Sequence, residues 1–288
     1  MHLVLISGLS GSGKSIALNV LEDGGYYCVD NLPSMLLPQL IDTLAAQGYS
    51  KVGVAMDVRG GAGIRELPRL LDSLKARVEL RFLFLDAKDD TLLQRFSETR
   101  RRHPLASDSN TLVEAIREER VLLEEIAGLG HHIDTSDLKA ATLRDWVKQF
   151  IAVDAAHGLT LLFQSFGFKH GIPLDADLVF DVRCLPNPHY DPELRPLTGR
   201  DQPVIDYLEA HEEVARMAAD MFHFVSQWLP SYVRDNRSYL TVAVGCTGGQ
   251  HRSVYLAEWL ARQFRDGEGE DDGLQVLVRH RELADAGK

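Results

Sequence analysis

Gly8-Leu9-Ser10-Gly11-Ser12-Gly13-Lys14-Ser15 follows a short apolar run, Met1–Ser7, and precedes a helical pattern over Ile16–Glu22. The eight residues match G-x-x-x-x-G-K-[ST]. In that pattern glycines let backbone N–H groups close around phosphate oxygens, the lysine reaches the β- and γ-phosphates, and the hydroxyl binds Mg²⁺. The start of the following helix adds its dipole to the same anion. Strand before and helix after are the context the pattern requires, so Gly8–Ser15 is read as a nucleoside-triphosphate loop with Lys14 and Ser15 at the chemistry. An ordinary glycine-rich turn between strand and helix is the bland alternative.

Outward from this loop, apolar strand patterns recur at Leu3–Ser7, Tyr26–Val29, Lys51–Met56, Leu80–Leu85 and His132–Ile133, with helical patterns between them. Such alternation predicts an α/β fold with a mostly parallel sheet, whose ligands sit at the carboxyl ends of strands. Three carboxylates stand there: Asp30, Asp57 and Asp86. Each suits an acid that holds Mg²⁺ through water, or equally a cap on the next helix. Asp57 is preferred, because Asp57-Val58-Arg59-Gly60-Gly61 leads into a glycine-rich turn. Arg95 and Arg100-Arg101-Arg102-His103 read either as a lid over phosphates or as a solvated helix face. A helix is expected from Leu138, with Ser136 or Asp137 as its cap. The amphipathic stretch Asn110–Leu123 suggests no functional role.

A domain boundary is expected near residues 152–158, giving domains 1–153 and 154–288. The second half repeats the strand–glycine loop–helix unit with other chemistry: Tyr239–Val244, then Gly245–Ser253, then a helix over Val254–Phe264. That loop has no lysine. It sets His251 and Arg252 at the helix start, where positive charge opposes the dipole unless an anion lies between them. The candidate anion site is Cys246, Thr247, Gly248, Gly249, His251, Arg252 and Ser253. Cys246 to Arg252 also fits C-x5-R-[ST], in which a low-pKa thiol attacks a phosphoryl group. Against that, Gly245 stands where such enzymes carry a histidine, and Cys246 is otherwise a small buried hydrophobe. Two rigid turns, Ser165–Pro173 and Leu185–Pro192, present Lys169 and His189 as further anion contacts.

Composition excludes several classes. The cysteines, Cys28, Cys184 and Cys246, form no CxxC pair, against a structural zinc site or a disulfide framework. No run approaches the roughly 18 apolar residues of a membrane span. A cytoplasmic chain without a secretory signal is expected. The net charge of −11 disfavours nucleic-acid binding by the bulk of the surface.

Taken together, GLSGSGKS (Gly8–Ser15), LEDGGYYCVDNLP (Leu21–Pro33), the Asp57-Val58-Arg59 turn, TRRRHPL (Thr99–Leu105), SFGFKHGIP (Ser165–Pro173), DVRCLPNPHYDPELRPLTG (Asp181–Gly199) and NRSYLTVAVGCTGGQHRSV (Asn236–Val254) resemble the YvcJ/RapZ family of P-loop nucleotide-binding proteins, the RNase adapter group of bacteria. The resemblance spans nearly the whole chain. It implies ATP and GTP binding with slow hydrolysis, ATP at Gly8–Ser15 and a guanine nucleotide at Asp57, Val58, Arg59 and Gly60. It implies a C-terminal domain that senses glucosamine-6-phosphate through Lys169, His189, Thr247, Gly248, His251 and Arg252. It further implies homo-oligomers and, in enterobacterial members, a small regulatory RNA presented to RNase E. RNA-binding members carry a strongly basic tail after an Arg-His-Arg element. Here Arg279-His280-Arg281 is followed by Glu282-Leu283-Ala284-Asp285, which removes phosphate contacts.

Overall fold

The computed structural model describes residues 1–58, 66–107, 109–152, 159–235, 237, 239–266 and 274–283. The chain divides into two compact units, Met1–Ala155 and Ala156–Lys288.

In the first unit β1 (His2–Gly8), β2 (Tyr27–Val29), β3 (Lys51–Ala55), β4 (Glu79–Asp86) and β5 (His131–Asp134) form a sheet in the order β2-β3-β1-β4-β5, parallel at every pairing. The central strand, β1, is buried from Leu3 to Gly8, the unbroken apolar run expected of a parallel strand covered on both faces. Alternation sends its neighbours to opposite sides. Leu3 and Leu5 join one core with Leu37 and Ile41 of α2 (Leu37–Ala46), Leu71 and Leu74 of α3 (Leu67–Lys75), and Ile116 and Leu123 of α5 (Leu112–Ala127). Elsewhere α1 (Lys14–Asp23) packs on α6 (Ala140–Ala152), and a β-carbon on Gly53 would come within 2.9 Å of Leu21 in α1. The remaining helix, α4 (Asp89–Thr99), leads into the arginine cluster.

The second unit is a four-stranded sheet in the order β7-β8-β6-β9, again parallel throughout: β6 (Leu159–Gly167), β7 (Leu178–Asp181), β8 (Tyr239–Cys246) and β9 (Leu274–His280). All nine residues of β6 are buried. Its core draws Val204 and Leu208 from α7 (Gln202–Glu209), Met221 and Val225 from α8 (Glu212–Arg234), and Leu256 and Leu260 from α9 (Arg252–Asp266). Among the described residues no helix is long and apolar enough to cross a membrane.

One local expectation is corrected. α6 starts at Ala140, not at Leu138, so neither Ser136 nor Asp137 caps it; the Ser136 hydroxyl turns back to the Asp134 carboxylate. The short β7 and β9, and helices α7 and α8, extend the second unit beyond the strand–loop–helix repeat legible in its motifs.

Candidate functional site

Gly8 ends the central strand, and the loop that follows is shaped by glycine. Gly8, Gly11 and Gly13 all have positive φ (138°, 88° and 108°). At Gly8 a β-carbon would stand 2.0 Å from Leu85 O. Gly13 is the N-cap of α1 and offers no side-chain cap, so the first-turn N–H groups of that helix face the loop. Lys14 is folded across it, donating to Gly8 O (2.6 Å) and Leu9 O (3.1 Å). Ser15 lies exposed on the first turn. The Ser12 hydroxyl is buried without a hydrogen-bond partner, an orphan that an incoming phosphate oxygen would satisfy.

The outer side of this loop is held by Glu119, Arg95 and Thr135, of which only Arg95 was marked in the sequence. Ser10 gives both its N–H (2.9 Å) and its hydroxyl (2.8 Å) to the Glu119 carboxylate of α5. Arg95 donates to Gly11 O (2.9 Å) and Thr135 O (2.6 Å), and the Thr135 hydroxyl reaches Ser12 O (2.9 Å). Arg95 is thus neither lid nor solvated face: its guanidinium is a brace on the phosphate loop. Burial pulls its pKa down against the charges of Asp134, Asp137 and Glu98.

His103 differs from the arginines before it. Arg100, Arg101 and Arg102 are exposed, whereas His103 is buried with its Nε2 3.0 Å from Glu119. Its Nδ1 accepts the Leu105 N–H (3.1 Å), which leaves Nε2 to donate to Glu119. Glu119 therefore collects three donors and needs no water.

The three candidate acids sit differently. Asp57 is buried just past β3, the strand beside β1, where Met56 N donates to Ile6 O and the Ser7 hydroxyl to Met56 O. Asp86 has both oxygens on Arg120 Nη1 (2.9 and 3.0 Å), and one also accepts Ala87 N. Asp30 is exposed past β2, at the edge of the sheet. Val58 is buried in the N-terminal core, and Arg59 and Gly60 lie outside the described residues.

In the second unit the carboxyl ends of β6, β7, β8 and β9 gather the other candidates. Lys169 and His189 are exposed, and Lys169 N donates to Thr247 O (3.2 Å). His251 is buried with Nε2 3.2 Å from Leu194 O. Arg252 is buried at the start of α9. Its Nη1 donates to Arg183 O (2.8 Å) and Leu185 O (2.9 Å), while Nη2 reaches the Thr247 hydroxyl (3.4 Å) and Nε has no partner. Much of its charge is thus spent on tying the loop after β7 to the helix. Cys246 is buried at the end of β8, its sulfur accepting Gly249 N and facing the Ser253 hydroxyl, both at 3.2 Å. Burial pushes that thiol up, but Ser253, the Gly249 amide and the Arg252 charge together bring it below the ordinary cysteine value. Arg279 and His280 are buried residues of β9 rather than surface cations. His280 lies between Ser165 (2.7 Å) and Glu258 (3.1 Å).

Among the described residues no group of His, Cys, Asp and Glu side chains forms a metal cluster. The two strand–loop–helix junctions share glycine-shaped backbone, with Lys14 folded across one and Arg252 fixed on carbonyls at the other.

Comparison with known proteins adds the following. A shikimate kinase of Acinetobacter baumannii of known structure shares 19% identity, covering 52% of this chain and 92% of its own at a TM-score of 0.37. A nucleotide-binding protein of Azoarcus sp. (strain BH72) is 66% identical over 285 residues, 99% of this chain and 96% of that protein. Another, of Aromatoleum aromaticum, is 65% identical with the same coverage. A family profile described as the RapZ-like N-terminal domain matches residues 1–155, and one described as the RapZ C-terminal domain matches residues 159–284.

Proposed function

The chain belongs to the RapZ family, and from that premise we propose that it is a nucleotide-binding regulator of amino-sugar metabolism. In this reading its N-terminal unit binds ATP or GTP with Mg²⁺ on Gly8–Ser15 and hydrolyses it slowly. Its C-terminal unit senses a sugar phosphate such as glucosamine-6-phosphate. The observation that carries the reading is the phosphate loop itself: three positive-φ glycines, an uncapped α1 and an orphaned Ser12 hydroxyl on the inner side, with Glu119, Arg95 and Thr135 bracing the outer side.

A loop braced from outside keeps its shape when phosphate arrives, so little of the binding energy goes into ordering it. Lys14 exchanges two carbonyl acceptors, Gly8 O and Leu9 O, for phosphate oxygens, a swap of neutral for charge-assisted hydrogen bonds. The residues fit a magnesium nucleotide: Ser15, open on the first turn, would ligate the ion, and Asp57, just past the strand beside β1, would hold it through water. When bound, Mg²⁺ neutralises charge on the β- and γ-phosphoryl oxygens. Asp86 instead holds Arg120 with both carboxylate oxygens. The role of presenting a small RNA to RNase E is not adopted, because Arg279 and His280 are buried.

Titration of Lys14→Ala with ATP and GTP tests the reading. Losing a charge-assisted contact of about 1.5–3 kcal/mol is expected to weaken both nucleotides roughly ten- to a hundredfold and to abolish turnover. Equal affinity in wild type and variant would remove the loop from the function.

A further inference from the structure

β9 ends at His280, and the ladder to β6 continues one step further, with Arg281 N donating to Ser165 O (3.2 Å). At the next step a side chain replaces the backbone: the Glu282 carboxylate takes the Gly167 N–H. This draws it against the turn after β8. A β-carbon on Gly249 would stand 2.3 Å from Glu282 Oε2 and 2.7 Å from its carboxyl carbon. Gly249 has φ 74°, and a β-carbon on Gly167 would meet Gly248 at 2.7 Å, so both positions take glycine for want of space. Lys169, on the turn after β6, adds its positive charge to the same place.

The carboxylate is poorly served there. Its Oε2 is buried without a hydrogen-bond donor. Desolvation pushes the Glu282 carboxyl up, and the Gly167 amide, its own amide and the charges of Arg281 and Lys169 do not bring it back. An under-solvated anion, seated in a glycine cradle beside a lysine, holds the position an anionic ligand would take.

We propose that Glu282 is a resident anion of the C-terminal glycine-loop site, and that a phosphate-bearing ligand enters by displacing its carboxylate from Gly249 and Lys169. This rests on the reading of that loop as an anion site and names how it is regulated. A phosphoryl group brings more acceptor oxygens and more charge than a carboxylate, so it outbids Glu282 for Lys169 and the loop donors. Affinity is thereby set below what the loop alone would give. Occupancy also becomes visible at the end of β9, because the displaced residue releases its hold on Gly167 and exposes the Arg281–Glu282 peptide bond.

Calorimetric titration of the full-length protein with inorganic phosphate decides it, using wild type, Glu282→Gln and Lys169→Ala. Glutamine keeps the shape and can still accept from Gly167 but carries no charge. It is expected to raise phosphate affinity about tenfold by removing a like charge at close range. Lys169→Ala, at an exposed position, is expected to lower it. In parallel, phosphate should speed tryptic cleavage after Arg281 in wild type, and at lower phosphate concentration in Glu282→Gln. If wild type binds phosphate and Lys169→Ala weakens it, yet Glu282→Gln binds no more tightly, the site stands and the resident anion is overturned. If no variant binds phosphate, the anion site itself fails and the proposal with it.

Discussion

Glu119 is the residue on which the phosphate loop turns. It is wholly buried, and its two oxygens accept the Ser10 N–H, the Ser10 hydroxyl and His103 Nε2. A glutamine there keeps the volume but points an NH₂ at one of these donors. Glu119→Gln should therefore cost about 1–3 kcal/mol of stability and weaken nucleotide binding roughly tenfold, read by thermal denaturation and by titration. Unchanged nucleotide affinity would show that Ser10 needs no anchor. Gly8 is constrained by space rather than by charge. With φ 138° and a virtual β-carbon 2.0 Å from Leu85 O, Gly8→Ala forces the central strand away from β4. Loss of more than about 3 kcal/mol, seen as a large drop in Tm, is the expected outcome. Neither Glu119 nor His103 was legible in the sequence. A glutamate on an amphipathic helix suggests no role and a histidine at the end of a basic run reads as lid or solvated face, while the Ser10 that Glu119 holds lies 109 residues away.

Elements were legible in proportion to how strongly local pattern decided them. The phosphate loop, β1 and α1 follow from apolar run, glycines and helix start, because backbone geometry there admits few residue types. β7 was not legible: its four residues alternate between half-buried and exposed, and it is recognisable as a strand only beside β8. β9 is hidden similarly, since its neighbours in sequence are acidic and its pairing partner is β6, more than a hundred residues earlier. α5 opens with a reciprocal cap, Thr111 Oγ1 accepting Glu114 N and Glu114 accepting Thr111 N. Thr111→Ala should destabilise the N-terminal unit by about 1 kcal/mol, measured by denaturant midpoint. Between α9 and β9, Glu258 accepts from His280 and Arg200 (3.1 and 2.8 Å). The His280 bond, with Arg200 behind it, holds the Glu258 carboxyl down at about 2. Because the folded value lies below the unfolded one, its contribution is present above about pH 4.5 and lost as the pH falls towards 2. Discounted for partial exposure, it is worth about 1–2 kcal/mol. Glu258→Gln should therefore lower stability at pH 7 and flatten its fall between pH 5 and 2; an unaltered acid limb would exclude this pair as its source.

The whole molecule uses one plan twice: a parallel sheet with glycine-shaped loops at the carboxyl ends of its strands. The N-terminal version carries a lysine folded onto two carbonyls of its loop, the C-terminal one an arginine fixed on carbonyls and a glutamate held nearby. With a formal charge of −11, a surface of this kind repels nucleic acid at long range. Anisotropy of a labelled structured RNA is expected to show no binding tighter than about 1 μM near 150 mM salt. Submicromolar binding that falls steeply with added salt would restore an RNA-delivering role. The bond between Ser10 and Glu119 also fixes an order of events during synthesis. Residues 8–15 leave the ribosome early, but the carboxylate that shapes them is made 109 residues later. At roughly 5–20 residues per second the nascent loop spends several seconds without its anchor. A nucleotide that meets the nascent loop in that interval meets it without the Glu119 anchor, and is expected to bind it more weakly than the finished chain.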